Sequence, residues 1–200
     1  MIEKINLGGD TFIYRAKITI SNIDQLISDI NLNLDVSIDS KKPTQEEPGI
    51  QSTIVISTPL IRELGEKIRG VFSKTFDLPE DTPYSTMQWS YISDRKNVYS
   101  ALHKHDLKSM TNLVPKWTYT YYVQMPDNLV GDDGKLVFRP DDGPEYMILP
   151  EIGDLLIFPA SIMHAPLTNT SSNLERIVIG GIWNYIDKSD KIRKKEKTLM

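Results

Sequence analysis

From Thr86 onward the chain is cut into short pieces, and that limits what it can fold into. Segments at 86–92, 98–103, 117–125, 135–138, 146–149, 154–158 and 176–183 are rich in β-branched and aromatic residues. Turn formers separate them, among them Asp94-Arg95-Lys96-Asn97, Gly131-Asp132-Asp133-Gly134 and Asp141-Asp142-Gly143-Pro144. Short segments of this kind read as strands, and at this spacing they close into a β-sandwich or barrel rather than a parallel sheet with crossover helices. The first part of the chain is different. Residues 11–20 alternate as a strand. Ser21 is placed to cap a helix with Ile23, Leu26, Ile27 and Ile30 on one face. Thr58 and Pro59 open a second helix, with Leu60, Leu64, Ile68, Val71 and Phe72 at helical spacing. Residues 39–51, polar with two prolines and a glycine, read as a loop. The expected architecture is mainly β with supporting helices that cover one outer face.

Two hundred residues suit one domain. It divides into an N-terminal strand with supporting helices (1–85), a β core (86–184) and a basic tail (185–200). The tail reads as a solvated end. A net charge of −4 gives no reason to expect a nucleic-acid surface or an anionic membrane as partner. The absence of cysteine excludes disulfides, thiolate zinc sites, iron–sulfur clusters and cysteine nucleophiles. Residues 1–9 lack a signal-like apolar stretch, and no apolar run approaches the roughly 20 residues that span a bilayer. A cytoplasmic location is expected. Ser161 has no glycine-flanked elbow, and Gly8-Gly9 and Gly180-Gly181 lack the spacing of phosphate loops. Imidazole and oxygen ligands remain.

All three histidines fall in two short stretches. His103 and His105 lie in Leu102-His103-Lys104-His105-Asp106, and His164 closes the run that begins at Gly153 and passes through Leu155-Leu156-Ile157-Phe158. Histidines two apart in a strand point the same way. A third at the end of an apolar strand can complete one face of a metal ion, which suggests a non-haem iron site.

Four stretches in this order carry a family resemblance: His103-Lys104-His105; Thr118-Tyr119-Thr120-Tyr121-Tyr122-Val123-Gln124-Met125-Pro126; Gly153-Asp154-Leu155-Leu156-Ile157-Phe158-Pro159 leading to His164; and Arg176-Ile177-Val178-Ile179. Residues 88–184 resemble the Fe(II)- and 2-oxoglutarate-dependent oxygenases, particularly the prolyl 4-hydroxylase-like branch and its small phage and bacterial relatives. The resemblance implies a double-stranded β-helix, a cupin-like jelly-roll barrel. It also implies an enzyme that couples hydroxylation by O2 to conversion of 2-oxoglutarate into succinate and CO2. Fe(II) and 2-oxoglutarate would be the cofactors, and the substrate a small molecule or a peptide.

By the same resemblance His103 and His164 are metal ligands, and Arg176 binds the distal carboxylate of 2-oxoglutarate. The pattern departs at His105, where the family usually has Asp. Three readings stay open: His103, His105 and His164 all bind the metal, the reading preferred here; Asp106 supplies a carboxylate beside His105; or His105 lies outside the ligand set. Val178 stands where many relatives carry a Ser or Thr two residues after the Arg. Tyr122, which shares a strand face with Thr118, Thr120 and Gln124, is the candidate to replace that donor. Tyr99 shares parity with His103 and is a weaker candidate for the pocket. Residues 39–51 and 108–116 are candidate lids.

Two other functions fit parts of the pattern. A three-histidine, cupin-type metal dioxygenase without 2-oxoglutarate accounts for His105 but leaves Arg176 and Tyr122 unexplained. A non-enzymatic jelly-roll binding module makes the histidines merely polar residues at the barrel mouth and the position of Arg176 a coincidence; the alternative for Arg176 itself is a surface residue paired with Glu175.

Overall fold

The computed structural model describes residues 1–36, 50–54, 56–79, 82–93, 101–105, 117–168 and 174–185. Along them run β1 (Ile2–Gly8), β2 (Thr11–Lys17), α1 (Ile23–Val36), β3 (Ile50–Thr53), α2 (Pro59–Thr75), β4 (Tyr84–Ser93), β5 (Trp117–Gln124), β6 (Leu136–Arg139), β7 (Tyr146–Ile148), β8 (Asp154–Pro159), β9 (Met163–Pro166) and β10 (Arg176–Tyr185). The candidate lid at 108–116, Tyr99, Asp106, residues 37–49 and the tail beyond Tyr185 lie outside the described residues.

The helix starts follow side-chain chemistry. The Thr58 hydroxyl accepts the Ile61 N–H, and Pro59 takes a first-turn position where its missing N–H costs nothing. In α1 the cap is Asn22 rather than Ser21: Asn22 Oδ1 accepts the Gln25 N–H at 3.1 Å. Ser21 instead donates to Glu63 of α2 at 3.0 Å, so its hydroxyl joins the two helices.

The strands form two antiparallel sheets, a seven-stranded one in the order β1-β2-β8-β5-β10-β4-β3 and a three-stranded one in the order β7-β6-β9. Strand alternation assigns the two faces of the large sheet. On β5, Tyr119, Tyr121 and Val123 pack outward against Leu26 and Ile30 of α1 and Leu64, Ile68 and Phe72 of α2. Tyr122 points the other way, into a second cluster that joins Leu156, Phe158 and Val178 to Leu136, Phe138 and Ile148 of the small sheet. The space between the sheets is the barrel interior, and the helices back its outer wall. This is the jelly-roll expected from the sequence.

Two contacts set the entry to β8. Gly153 holds φ +84°, and a Cβ there would lie 2.8 Å from the Ile18 carbonyl oxygen, so the turn requires glycine. Asp154 is buried. Its Oδ2 accepts from Arg15 Nε at 3.0 Å, Arg15 Nη2 at 2.6 Å and the Glu151 N–H at 2.8 Å. The Gly-Asp pair therefore makes a turn and also an ion pair that ties β8 to β2. No helix among the described residues is long and apolar enough to cross a membrane.

The outer layer centres on Phe72, which stacks on Trp183 at 4.4 Å and meets Tyr119 edge-on at 6.0 Å. Phe72→Ala is expected to cost about 4 kcal/mol, read as a lowered midpoint in urea unfolding, because a cavity opens where helix and sheet meet.

Candidate metal centre

The three histidines converge although they come from three local settings. His103 forms an isolated bridge with His164: the His103 N–H donates to the His164 carbonyl at 3.0 Å, and the His164 N–H returns to the His103 carbonyl at 2.9 Å. His105 is fixed two residues later, where its N–H donates to the Ala160 carbonyl at 2.8 Å. His164 lies on β9, beyond the turn that follows β8, with the Ile162 N–H donating to the Pro159 carbonyl at 3.1 Å. One candidate ligand atom from each ring lies within 4.8 Å of the other two, a group that could hold a metal ion. His103 is exposed, His105 partly buried and His164 buried, so the cluster runs inward from the surface.

Ring orientation suits metal binding. Nδ1 of His103 is 3.0 Å from the Ala101 carbonyl, and Nδ1 of His164 is 3.0 Å from the Ile162 carbonyl. A carbonyl oxygen only accepts, so each Nδ1 is the donor, which leaves Nε2 as the nitrogen that a neutral ring offers to a metal. Burial, and next the charge of His103, push His164 down to about 3, against the opposing effect of the Ile162 carbonyl. Burial and His103 hold His105 down to about 4. Both are uncharged at neutral pH, the form that ligates metal.

The surrounding rings are aromatic. Phe158 lies edge-on to His164 at 4.7 Å, and Trp89 is tilted against His105 at 5.3 Å. Trp89 also covers Gly180, where a Cβ would come within 2.7 Å of the indole Nε1. The Gly180-Gly181 pair, no phosphate loop, thus makes room on both faces of β10. On the outer face a Cβ at Gly181 would meet the Tyr119 ring at 2.4 Å.

Arg176 starts β10 and is 3 % exposed. It is not the surface partner of Glu175: its Nη1 donates to the Leu167 carbonyl at 2.9 Å, three residues past His164. No acidic side chain among the described residues pairs with it. Burial lowers its pKa, while Tyr122 and Tyr91 work in the opposite direction. Tyr122 is itself buried, with its phenol pushed up to about 12 by burial, and it takes part in the interior cluster. Its neighbour across the pairing of β5 and β10 is Val178.

No family model matches the chain, and no curated protein matches it. Solved structures do. A prolyl-4-hydroxylase from Pseudomonas putida superposes with a TM-score of 0.61 at 14 % identity, covering 88 % of this chain and 93 % of its own. The viral collagen prolyl hydroxylase of Paramecium bursaria Chlorella virus-1, in its 2-oxoglutarate complex, gives 0.60 at 15 %, covering 87 % and 96 %. The non-haem alpha-ketoglutarate-dependent carbocyclase SnoK from nogalamycin biosynthesis gives 0.67 at 12 %, covering 86 % and 78 %. The fold is that of the 2-oxoglutarate- and Fe(II)-dependent oxygenases.

Within this oxygenase fold several local expectations change. His164 does not end the apolar strand β8; it occupies β9, in the other sheet. Of the strand expected at 98–103, residues 98–100 lie outside the described part, and the rest forms only the bridge at His103. Residues 50 and 51, read as loop, pair with Ile92 and Tyr91 of β4. Trp89 carries no signal in the sequence; its place beside the histidines becomes visible only once β4 is paired with β10.

The two buried histidines make stability depend on pH. Unfolded, each takes a proton near its ordinary value of 6.5; folded, His105 resists to about 4 and His164 to about 3. Their contribution is complete above the unfolded value and is lost as pH falls through that window. Denaturant titrations of metal-free protein are expected to show unfolding free energy dropping below pH 6.5, with His164 alone approaching about 1.4 kcal/mol per pH unit. A His164→Gln variant should lose that share of the slope.

Proposed function

We infer that the protein is an Fe(II)- and 2-oxoglutarate-dependent oxygenase that hydroxylates a small-molecule or peptidyl substrate. The observation that carries this reading is Arg176, a buried cation inside the barrel with no acidic partner among the described residues. An unpaired buried charge costs several kcal/mol. A ligand carboxylate that accepts from the guanidinium supplies what the fold withholds. A three-histidine dioxygenase that uses no oxo acid leaves that charge unanswered.

His103, His105 and His164 would hold the iron through imidazole nitrogens, with the Nδ1 bonds to Ala101 and Ile162 fixing two of the rings. Bound iron with 2-oxoglutarate supplies oxygen activation, one oxygen atom going to a substrate C–H bond and the other to succinate as CO2 leaves. The chain's own residues orient and shield. Arg176 anchors the distal carboxylate, and the Tyr122 hydroxyl, kept protonated by burial, is available to donate to it. Phe158 and Trp89 keep water from the inner histidines. Two of the similar structures are prolyl hydroxylases, which favours a peptidyl or amino-acid substrate, while SnoK acts in the biosynthesis of nogalamycin. In this reading the chain works as one oxygenase domain in a reducing, cytoplasmic setting that keeps iron ferrous.

The test is an anaerobic titration of Fe(II)-loaded protein with 2-oxoglutarate, followed by the visible charge-transfer band, then admission of O2 with succinate quantified. A saturable band and succinate release are expected. In Arg176→Met the dissociation constant should rise roughly 100-fold, while the ligand-free protein keeps or gains stability because a buried unpaired charge has gone. Iron binding without any band would sink the reading.

A further inference from the structure

We propose that Ser93 donates a hydrogen bond, beside Arg176, to the distal carboxylate of the 2-oxo acid, and so selects dicarboxylic over monocarboxylic oxo acids. The proposal rests on the oxygenase reading above. In the pairing of β10 with β4, Arg176 is directly opposite Ser93. Directly paired residues of an antiparallel sheet project from the same face, their Cβ atoms about 5 Å apart. That face is the barrel interior. Tyr91, two residues before Ser93, packs on the interior cluster, and Val178, two residues after Arg176, belongs to it.

Ser93 is 3 % exposed, and its hydroxyl has no hydrogen-bond partner among the described residues. A dry, unpartnered hydroxyl is destabilising, because it has given up water without a replacement, and it persists where something else is gained. On β10 itself Val178 offers no donor, so a carboxylate held by Arg176 finds none two residues along. Ser93 presents one from the neighbouring strand. With Tyr122 of β5 on the other side of β10, the cation is flanked by a hydroxyl from each adjacent strand. Arg176 spends Nη1 on the Leu167 carbonyl; among the described residues the remaining N–H groups of its fork are left for a ligand. The arrangement suits an anion that accepts several hydrogen bonds at one end, as a terminal carboxylate does. A 2-oxo acid without that carboxylate leaves Ser93 and the remaining N–H groups of Arg176 without an acceptor.

The experiment uses Fe(II)-loaded protein without oxygen and follows the charge-transfer band for two five-carbon ligands: 2-oxoglutarate and 2-oxovalerate, which lacks the distal carboxylate. Ser93→Ala is expected to weaken 2-oxoglutarate roughly 10-fold or more and to leave 2-oxovalerate unchanged. Ser93→Thr, which keeps the hydroxyl, should restore most of the loss. The thermal midpoint of ligand-free Ser93→Ala should equal or exceed that of the parent, since the substitution removes an unsatisfied group. A structural serine would instead lower it. Equal weakening of both acids, or of neither, overturns the role of Ser93 while the parent's band keeps the oxygenase reading intact. Iron binding by calorimetry with no band in the parent overturns both.

Discussion

Strand β10 lies between β5 and β4, and the alternation of its side chains decides what each half of the molecule does. Ile177, Ile179 and Trp183 face the helices, where the driving force is burial of apolar surface. Arg176, Val178 and Gly180 face the interior, where the guanidinium is held out of water. A shift of one residue in its pairing would exchange these faces and turn the guanidinium toward the helices. The long ladders to both neighbours, with Arg176 opposite Ser93 and Gly180 opposite Trp89 on β4, resist that shift. Gly180 and Gly181 fix the register further: the rings of Trp89 and Tyr119 occupy the space a Cβ would need, so only these two positions can lie beneath them.

The electrostatics of the interior follow from the same enclosure. Burial disfavours charge on His105 and His164 and so keeps them in the form that can ligate a metal, and burial also lowers the pKa of Arg176, which has no acidic partner among the described residues. One environment thus produces neutral imidazoles at one place and, among the described residues, a cation without an acid at another. Under the proposed function a ferrous ion and a dianionic oxo acid would answer those two needs. By contrast, the buried carboxylate of Asp154 is answered within the fold by Arg15. Its role is structural, since it fixes the start of β8, the strand from which the chain turns into β9 and His164.

The sequence was most readable where a single local rule governs. Thr58-Pro59 before a 3.6-residue apolar repeat marked α2, and alternation in Trp117–Gln124 correctly separated Tyr119 and Tyr121 from Tyr122. It was least readable at sheet edges. β1 and β3 each pair on one side only, so their own residues carry a weak pattern and their extension is imposed by β2 and β4. β9 was hidden because only four residues form it, and a turn separates it from the apolar run that precedes it. Asn22 outcompeted Ser21 as a cap because the Ser21 hydroxyl has Glu63 within reach, a partner 42 residues away that no local window contains. Ser93 and Trp89 carry no sequence signal for the same reason: neither residue belongs to a motif, and what sets each apart is its place opposite a residue of the next strand.

By itself the chain determined the chemical inventory and the fold class: no thiol, three histidines in two places, one arginine at the head of an apolar strand, and short strands backed by two amphipathic helices. Composition and periodicity are local properties, and local properties suffice for those conclusions. Only the tertiary structure decided that His103 and His164 exchange backbone hydrogen bonds, that Arg176 is buried with no acidic partner among the described residues, and that a serine with no partner among them stands opposite it. Those facts depend on register between strands far apart in sequence. Register is set by the packing of whole faces, which no short stretch of residues encodes.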